Sequence, residues 1–247
     1  MMSSKTPLDS ARFAGWSAIV GALLIYVTAG LSTMATGLDT ELVFRGDDML
    51  ALPAGSLAAF RWAMVTDVFG FYLSFLPVGA WLWHAFDRES AAQRVTGLAA
   101  LAMFVTLGVC GAALQMAALG PLSDMYVRGT PEARTAAAVS WTTIAHVAQR
   151  GLWWFEGPVM AFWMATTGSR LKQAAWGGGS LLQFLAVLVG AFFVSGLFPQ
   201  LNGVTAGLEM AVVVILPLWM IRFGVGALRR ADDRAIVDGF ARSGGRP

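Results

Sequence analysis

Six apolar runs recur along the chain, separated by stretches that hold most of the polar and charged residues. They occupy about residues 13–34, 59–83, 97–119, 141–163, 181–198 and 206–227. Each run is close to the roughly 20 residues that an α-helix needs to cross the hydrocarbon core of a bilayer. Because lipid offers no hydrogen bonds to the backbone, segments of this kind span it as helices. The pattern therefore predicts an all-α, polytopic membrane helix bundle with six transmembrane helices.

Polar segments flank the predicted six-helix domain of residues 13–228. Residues 1–12 form an N-terminal segment, and residues 229–247 form a basic tail that we expect to be partly disordered. The first apolar run is longer than the apolar region of a secretory signal peptide, which has roughly 7–15 residues. This favours a retained helix. Before the fourth run, the sequence Thr130-Pro131-Glu132 predicts the start of a surface helix.

The distribution of lysine and arginine predicts the orientation of the bundle. The N-terminal segment, the second and fourth connectors and the tail hold eleven of these residues. The first, third and fifth connectors hold three, which are Arg45, Arg128 and Arg134. Basic residues concentrate on the cytoplasmic side of membrane proteins. Both termini are therefore predicted to be cytoplasmic, with the acidic connector of residues 37–56 outside.

Composition agrees with a membrane protein and excludes several other classes. The chain is 57% hydrophobic and 13% charged, whereas soluble domains are about 25% charged. The ten tryptophans fit belts at the membrane interfaces and favour membrane lipids as partners. The net charge of +2, with no basic face outside the tail, argues against nucleic acid. The single cysteine, Cys110, excludes an internal disulfide and is expected to be a small buried apolar residue.

The fourth apolar run, residues 141–163, carries the most polar side chains of any run. It contains His146, Gln149, Arg150 and Glu156. A charged residue at the centre of a membrane helix costs about 2.5–3.5 kcal/mol even on the most lenient scale. These side chains are therefore expected to face other helices rather than lipid.

Polar residues of several spans are predicted to converge in the outer half of the bundle. They are Asp67, His146, Arg150 and Glu209, with Trp153 and Trp154 lining the same pocket. His146 and Arg150 are four residues apart and share a helix face. Two interpretations remain open. Either Asp67 and Glu209 hold protons and Arg150 binds an anionic group, or Arg150 forms a structural ion pair that ties helices together.

Several cofactor sites can be excluded from the ionisable residues. A retinal Schiff base needs a lysine within a span, but Lys5 and Lys172 lie outside the spans. His84 and His146 lie roughly 20–25 Å apart along the membrane normal by helix rise, so they cannot share a haem. Two histidines and one cysteine also leave no metal-binding motif. No cofactor or metal is expected.

Two terminal motifs, together with the helix plan, resemble a known family. The opening RFAGWSAIVGALL and the closing GLEMAVVVILPLWMIRFGVGAL are similar to an uncharacterised family of six-helix bacterial integral membrane proteins, a domain of unknown function. The residues that carry the resemblance are Arg12, Ala14, Gly15, Glu209, Met210 and Trp219. The resemblance implies six helices in the bacterial cytoplasmic (inner) membrane and no particular reaction.

Three functions fit these observations. The first is a multi-pass membrane protein whose outward-facing polar pocket binds or moves a small anionic or amphipathic molecule. The second is a membrane-embedded enzyme on a lipid or isoprenoid substrate, in which Asp67, Glu156 or Glu209 acts as the catalytic acid or base. The third is a subunit of a homo-oligomer or of a larger membrane complex. The sequence does not choose among them.

Overall fold

The computed structural model of the protein describes residues 7–85 and 91–243, and the regular structure in these residues is helical. The helices are α1 (Pro7–Thr36), α2 (Gly46–Leu50), α3 (Ala54–Asp67), α4 (Phe75–Ala85), α5 (Ala91–Arg128), α6 (Pro131–Ala145), α7 (Trp153–Gln173), α8 (Gly179–Ser195) and α9 (Asn202–Ser243). The prediction of an all-α fold is confirmed. Three basic residues used to predict orientation, Lys5, Arg88 and Arg246, fall outside the described residues. The side chains of Arg234 and Arg242, and that of His84, also fall outside them.

Two π-helical turns join successive helices into longer rods. The turn Val68–Leu73 joins α3 to α4, and the turn His146–Leu152 joins α6 to α7. With α1, α5, α8 and α9, the described part of the chain therefore forms six long rods. Each rod packs against the rods before and after it in the chain, and α1 packs against α9. The result is a closed ring of helices around a common interior.

Neighbouring rods run antiparallel and approach closely where both present glycine. Gly15 of α1 lies against Gly224 of α9, where a Cβ on Gly224 would lie 2.6 Å from the Gly15 carbonyl oxygen. Gly168 of α7 and Gly179 of α8 meet in the same way. A side chain at either contact would force the backbones apart. Small residues at helix contacts are the usual means of packing helices in membranes.

Four of the helical segments are long and apolar enough to cross a membrane by length and composition. They are Asp9–Thr36, Ala54–Trp83, Ala92–Arg128 and Pro199–Asp232. The helix Gly179–Ser195 is apolar but shorter, and the rod made of α6 and α7 is not among the four. These helices indicate a multi-pass membrane protein, while six spans and their orientation remain predictions.

The outer surface of the bundle is apolar, as a lipid-facing surface should be. Large apolar side chains are exposed on every rod, including Trp16, Phe69, Met103 and Val187. Cys110 is also exposed, so the expectation that it is buried is wrong. One face of α5 points outward, and Cys110 lies on that face.

Two buried cores lie at opposite ends of the bundle. We call the end where α1 begins the basic end, and the opposite end, which carries residues 37–53, the loop end. The core nearer the basic end takes buried residues from α1, α4, α5, α7, α8 and α9, including Trp163 and Trp219. The core at the loop end is built from α1, α3, α5, α6 and the loop, and none of its buried members comes from α8 or α9. The ring is therefore less tightly closed at the loop end, on the side of α9.

The acidic loop after α1 is ordered and covers the loop end of the bundle. It folds into a 3₁₀ turn, Thr40–Phe44, followed by α2. The buried indole nitrogen of Trp141 donates to the carbonyl of Val43 at 2.8 Å. The backbone nitrogen of Gly46 donates to the Thr142 hydroxyl at 3.1 Å. These contacts fix the loop against α6.

The structure bears on two further expectations. Helix α6 begins at Pro131 with Thr130 as its N-cap, which confirms the predicted helix start. The described part of the tail, by contrast, continues α9 as far as Ser243. A 2.8 Å ion pair between Arg12 and Asp232 ties the first turns of this extension to α1.

Acid is expected to loosen the loop at its Arg45 contacts. A hydrogen bond from the Arg45 guanidinium, at 2.6 Å, lowers the pKa of the Asp39 carboxyl below its ordinary value. A group with a lowered pKa stabilises the folded state above its unfolded pKa, and this contribution is lost as the pH falls through the folded value. A spin label at Thr40→Cys, in a Cys110→Ser background, should become mobile only at a pH below the ordinary aspartate pKa of about 3.9. With Asp39→Asn the label should be mobile at every pH, and an identical pH profile in the two proteins would contradict the role of this carboxyl.

Candidate functional site

A cluster of charged and aromatic side chains lies at the loop end of the interior, and we call it the mouth cluster. It contains Glu41, Phe44, His146, Arg150 and Glu209. Arg150 donates to the Glu41 carboxylate at 2.8 Å, and its guanidinium lies 4.8 Å from the centre of the Phe44 ring. The His146 ring packs against the Phe44 ring, and the two ring centres are 4.8 Å apart. Glu209 of α9 is close enough to interact electrostatically with Arg150 and Glu41.

The mouth cluster is open rather than sealed. His146, Arg150 and Glu209 are all exposed, and the side chains of the Arg150–Glu41 pair keep 42% and 60% of their accessible surface. The Nδ1 atom of His146 donates to the Thr142 carbonyl at 2.8 Å, which leaves Nε2 unassigned. A half-exposed ion pair of this kind contributes about 0–1 kcal/mol to stability. It can therefore exchange partners at small cost.

A second polar group lies deeper, between α3, α7 and the π turn of the second rod. Asp67 and Glu156 are 8% and 9% exposed, and they interact electrostatically with each other. The Tyr72 hydroxyl donates to Oε2 of Glu156 at 3.1 Å. The other oxygen of Glu156, Oε1, is buried and has no hydrogen-bond partner in the described part of the chain. We call Asp67 and Glu156 the buried carboxyl pair.

No lysine or arginine whose side chain the structure describes forms an ion pair with these carboxyls. The ion pairs found there join other residues, and Arg150, the nearest candidate by sequence, pairs with Glu41. A buried carboxylate without a cation or a full set of hydrogen bonds is very costly. The pair must therefore take up a proton or a cation to stay buried.

The π turns place both carboxyls. Asp67 directly precedes the turn Val68–Leu73, and Glu156 follows the turn His146–Leu152 by one helical turn. A π turn adds a residue to the helix and changes which side chains share a face, and such turns occur often at functional sites. Tyr72 lies within the first turn, so its ring can reach across to Glu156.

Glycines of α5 make room for the aromatic rings beside the pair. A Cβ on Gly108 would overlap the Tyr72 ring, and a Cβ on Gly111 would overlap the Trp153 indole. The Trp153 indole nitrogen donates to the Gly108 carbonyl at 3.1 Å. The close approach of α5 thus sets the position of Tyr72, and through it the hydrogen bond to Glu156.

Two glutamines pair in the interior, one from the second π turn and one from α5. Gln149, next to Arg150, donates to the side-chain oxygen of Gln115 at 2.9 Å. Gln115 is fully buried, and its amide nitrogen donates to the Gly111 carbonyl at 3.3 Å and contacts the Met64 sulfur at 3.9 Å. The pairing ties the π turn to α5, and neither glutamine hydrogen-bonds to Glu156 in the described part of the chain.

The structure brings together only part of the predicted site. His146 and Arg150 lie together as their spacing predicted, with Glu209 nearby, but Asp67 lies deeper and its neighbour is Glu156. Trp153 lies beside the buried pair, whereas Trp154 packs against α8, 5.2 Å from the Phe192 ring centre. The predicted ion pair of Arg150 with another span is replaced by its bond to Glu41.

Sequence reasoning missed Glu41, Phe44, Tyr72 and Gln115. Glu41 and Phe44 belong to a connector whose packing has no periodic signal. The sequence does carry a signal for Gln115, which is a strongly polar residue within the third apolar run. It also carries one for Tyr72, which follows the carboxyl of Asp67 by five residues inside the second apolar run. Both are cases in which an isolated polar group within a membrane helix marks a site.

Within the described residues no group of three or more His, Cys, Asp or Glu side chains is placed to hold a metal ion. Comparisons of the chain with protein families, curated proteins and solved structures found no match. The resemblance to a six-helix bacterial family is untested by these comparisons. The function must therefore be argued from the two polar clusters alone.

Proposed function

We propose that the protein moves a small anionic or amphipathic molecule across the membrane together with a proton, which the buried carboxyl pair binds and releases. The observation that supports this most directly is the burial of Asp67 and Glu156 within electrostatic range of each other. In the described part of the chain, neither carboxyl forms an ion pair with a lysine or arginine. Intramembrane carboxyls in such settings are typical of proton-coupled transporters.

The chemistry of the pair suits a proton better than a permanent charge. One proton shared between two carboxyls removes the repulsion that two buried carboxylates would suffer. The Tyr72 hydroxyl donates to Oε2 of Glu156 and stabilises the carboxylate form, in which both oxygens share the negative charge. The unpartnered Oε1 of Glu156 is the atom on which we place the exchanging proton.

The mouth cluster suits an anion with an apolar part. Arg150 binds the Glu41 carboxylate from the loop, and a solute carboxylate or phosphate could replace it in the same geometry. Phe44 offers an apolar surface beside the guanidinium. An anion that crosses with one proton carries no net charge, which avoids the cost of moving charge through the bilayer. The two clusters are thereby given complementary roles.

Proton movement in liposomes tests this function. Liposomes with the protein and an internal pH-sensitive dye receive an acid step outside, with methanesulfonate or benzenesulfonate present or absent. These anions of strong acids do not cross as neutral molecules, so any anion-dependent acidification must come from the protein. We expect the wild-type rate to exceed that of empty liposomes, and Glu156→Gln to lower it by about tenfold or more.

The matched control is Glu132→Gln, which makes the same chemical change at an exposed position at the start of α6. It should leave the rate unchanged. Wild-type liposomes no faster than empty ones, with both anions, would contradict proton-coupled transport of small anions. Equal losses in both variants would show that the carboxyl pair has no special role.

A further inference from the structure

A cavity of about 390 Å³ opens at the basic end, on the opposite side of the bundle from the mouth cluster. It lies between the connector that joins α7 to α8 and the adjoining part of α9. The residues that matter for its chemistry are Lys172, Trp176, Gly178, Ser180 and Arg222. Its volume lies within the range of small-molecule sites, roughly 300–1,000 Å³.

The charged side chains of this cavity are all cationic. Lys172 and Arg222 line it, and no aspartate or glutamate does. Neither cation forms an ion pair with a carboxylate in the described residues. Arg222 lies flat against the glycine connector, where a Cβ on Gly177 would come within 3.2 Å of its Nη2 atom. Two neighbouring cations without an anionic partner favour binding of an anion.

Backbone donors point the same way. Helix α8 begins at Gly179, and its N-cap, Gly178, provides no side-chain cap. The first N–H groups of a helix have no acceptor within the helix, and the helix dipole adds positive potential there. Gly178 has a φ of 98°, a conformation that glycine adopts without strain, so the backbone turns into the helix without a side chain in front of it.

A buried donor beside this turn has no acceptor either. The indole nitrogen of Trp219 is without a hydrogen-bond partner in the described part of the chain, although Trp219 is only 1% exposed. It faces Gly178, where a Cβ would lie 3.3 Å from it. Buried donors are normally paired. Trp219 does not itself line the cavity, and its unpaired donor lies behind Gly178, which does.

We propose that this cavity binds a phosphate group, held by Lys172, Arg222 and the N-terminus of α8. Phosphate offers several acceptor oxygens and a negative charge to a site whose charged side chains, Lys172 and Arg222, are both cations. Trp176 closes one side with an aromatic wall. The phosphate can belong to a lipid headgroup or to a soluble phosphate ester, and the chemistry of recognition is the same for both. The site is independent of the proposed proton pathway.

Two binding measurements on the full-length protein in detergent separate the two sources. Native mass spectrometry counts phosphatidylglycerol molecules retained, with diacylglycerol as the uncharged lipid. Isothermal titration calorimetry measures inorganic phosphate. The test variant is Lys172→Gln with Arg222→Gln, and the control is Arg128→Gln with Arg134→Gln, which removes the same charge from exposed positions elsewhere. Arg222→Lys keeps the charge and should retain most of the binding.

We expect the wild type and the control to bind, and the test variant to bind about tenfold or more weakly. Retention of phosphatidylglycerol alone assigns the site to a lipid, and binding of inorganic phosphate assigns it to a soluble phosphate group. Absence of binding to either probe would overturn the proposal. Equal losses in the test and control variants would also overturn it, because they would show binding by net charge alone.

Discussion

Replacing both buried carboxyls by amides, Asp67→Asn with Glu156→Gln, is expected to make the protein more stable while it abolishes proton exchange. The wild type must bury two groups that are charged in water, without a cation in the described residues to compensate them. Replacing a buried ion pair by uncharged residues of similar volume is often neutral or stabilising by about 1–4 kcal/mol, and we expect a gain of the same sign where buried carboxyls have no cation. The gain should grow with pH, because the wild-type pair loses protons as the pH rises.

Thermal unfolding in detergent at pH 6 and pH 9 measures this effect. For a chain of this size, about 1 kcal/mol corresponds to roughly 2–4 °C in the midpoint. Tyr72→Phe separates the hydrogen bond from the charges, since it removes the donor to Glu156 and should destabilise the protein by about 1 kcal/mol. A double amide variant that melts below the wild type at both pH values would show that the carboxyls stabilise the fold, and the proton-binding role would be lost.

The sequence predicted the helix plan well because lipid imposes a strong and simple signal. Five of the six apolar runs fall within one rod each, and the remaining run, 181–198, begins in α8 and ends three residues after Ser195. The ends of the rods were placed less well, since α1 begins at Pro7 and α5 continues to Arg128. Hydropathy reports where a helix meets lipid, whereas the helix itself ends where capping and packing cease to support it. Only at Pro131 did a capping signal mark the boundary.

The composition of the site was less predictable, because it depends on which helices are neighbours. The spacing of His146 and Arg150 correctly placed them on one face, since it uses a single helical turn. The partner of Arg150 comes from the loop, and the ring order of the helices cannot be read from one sequence. The π turns add a further difficulty, because a helix face extrapolated at 3.6 residues per turn no longer holds beyond them. This is why the sequence does not reveal that Glu156 lies within electrostatic range of Asp67.

Gly108→Val is expected to cause a large loss of both stability and proton exchange. A Cβ at this position would overlap the Tyr72 ring, which is itself buried against Phe104 with ring centres 5.1 Å apart. The ring has no free space to move into, and the Gly108 carbonyl also accepts the hydrogen bond of Trp153. Overpacking of this kind costs about 1–3 kcal/mol.

The same substitution at Gly190 of α8 provides the matched control, because nothing lies within 4 Å of a Cβ there. Gly190→Val should leave stability and transport near the wild-type values, since valine forms helix somewhat better than glycine. Circular dichroism melting gives the stability, and the liposome assay gives the transport rate. If Gly108→Val both melts and transports like the control, the contact between α5 and Tyr72 does not position Glu156. If it keeps its stability but loses transport, Tyr72 has been displaced from Glu156 without disturbing the fold, which would separate the role of the hydrogen bond from that of packing.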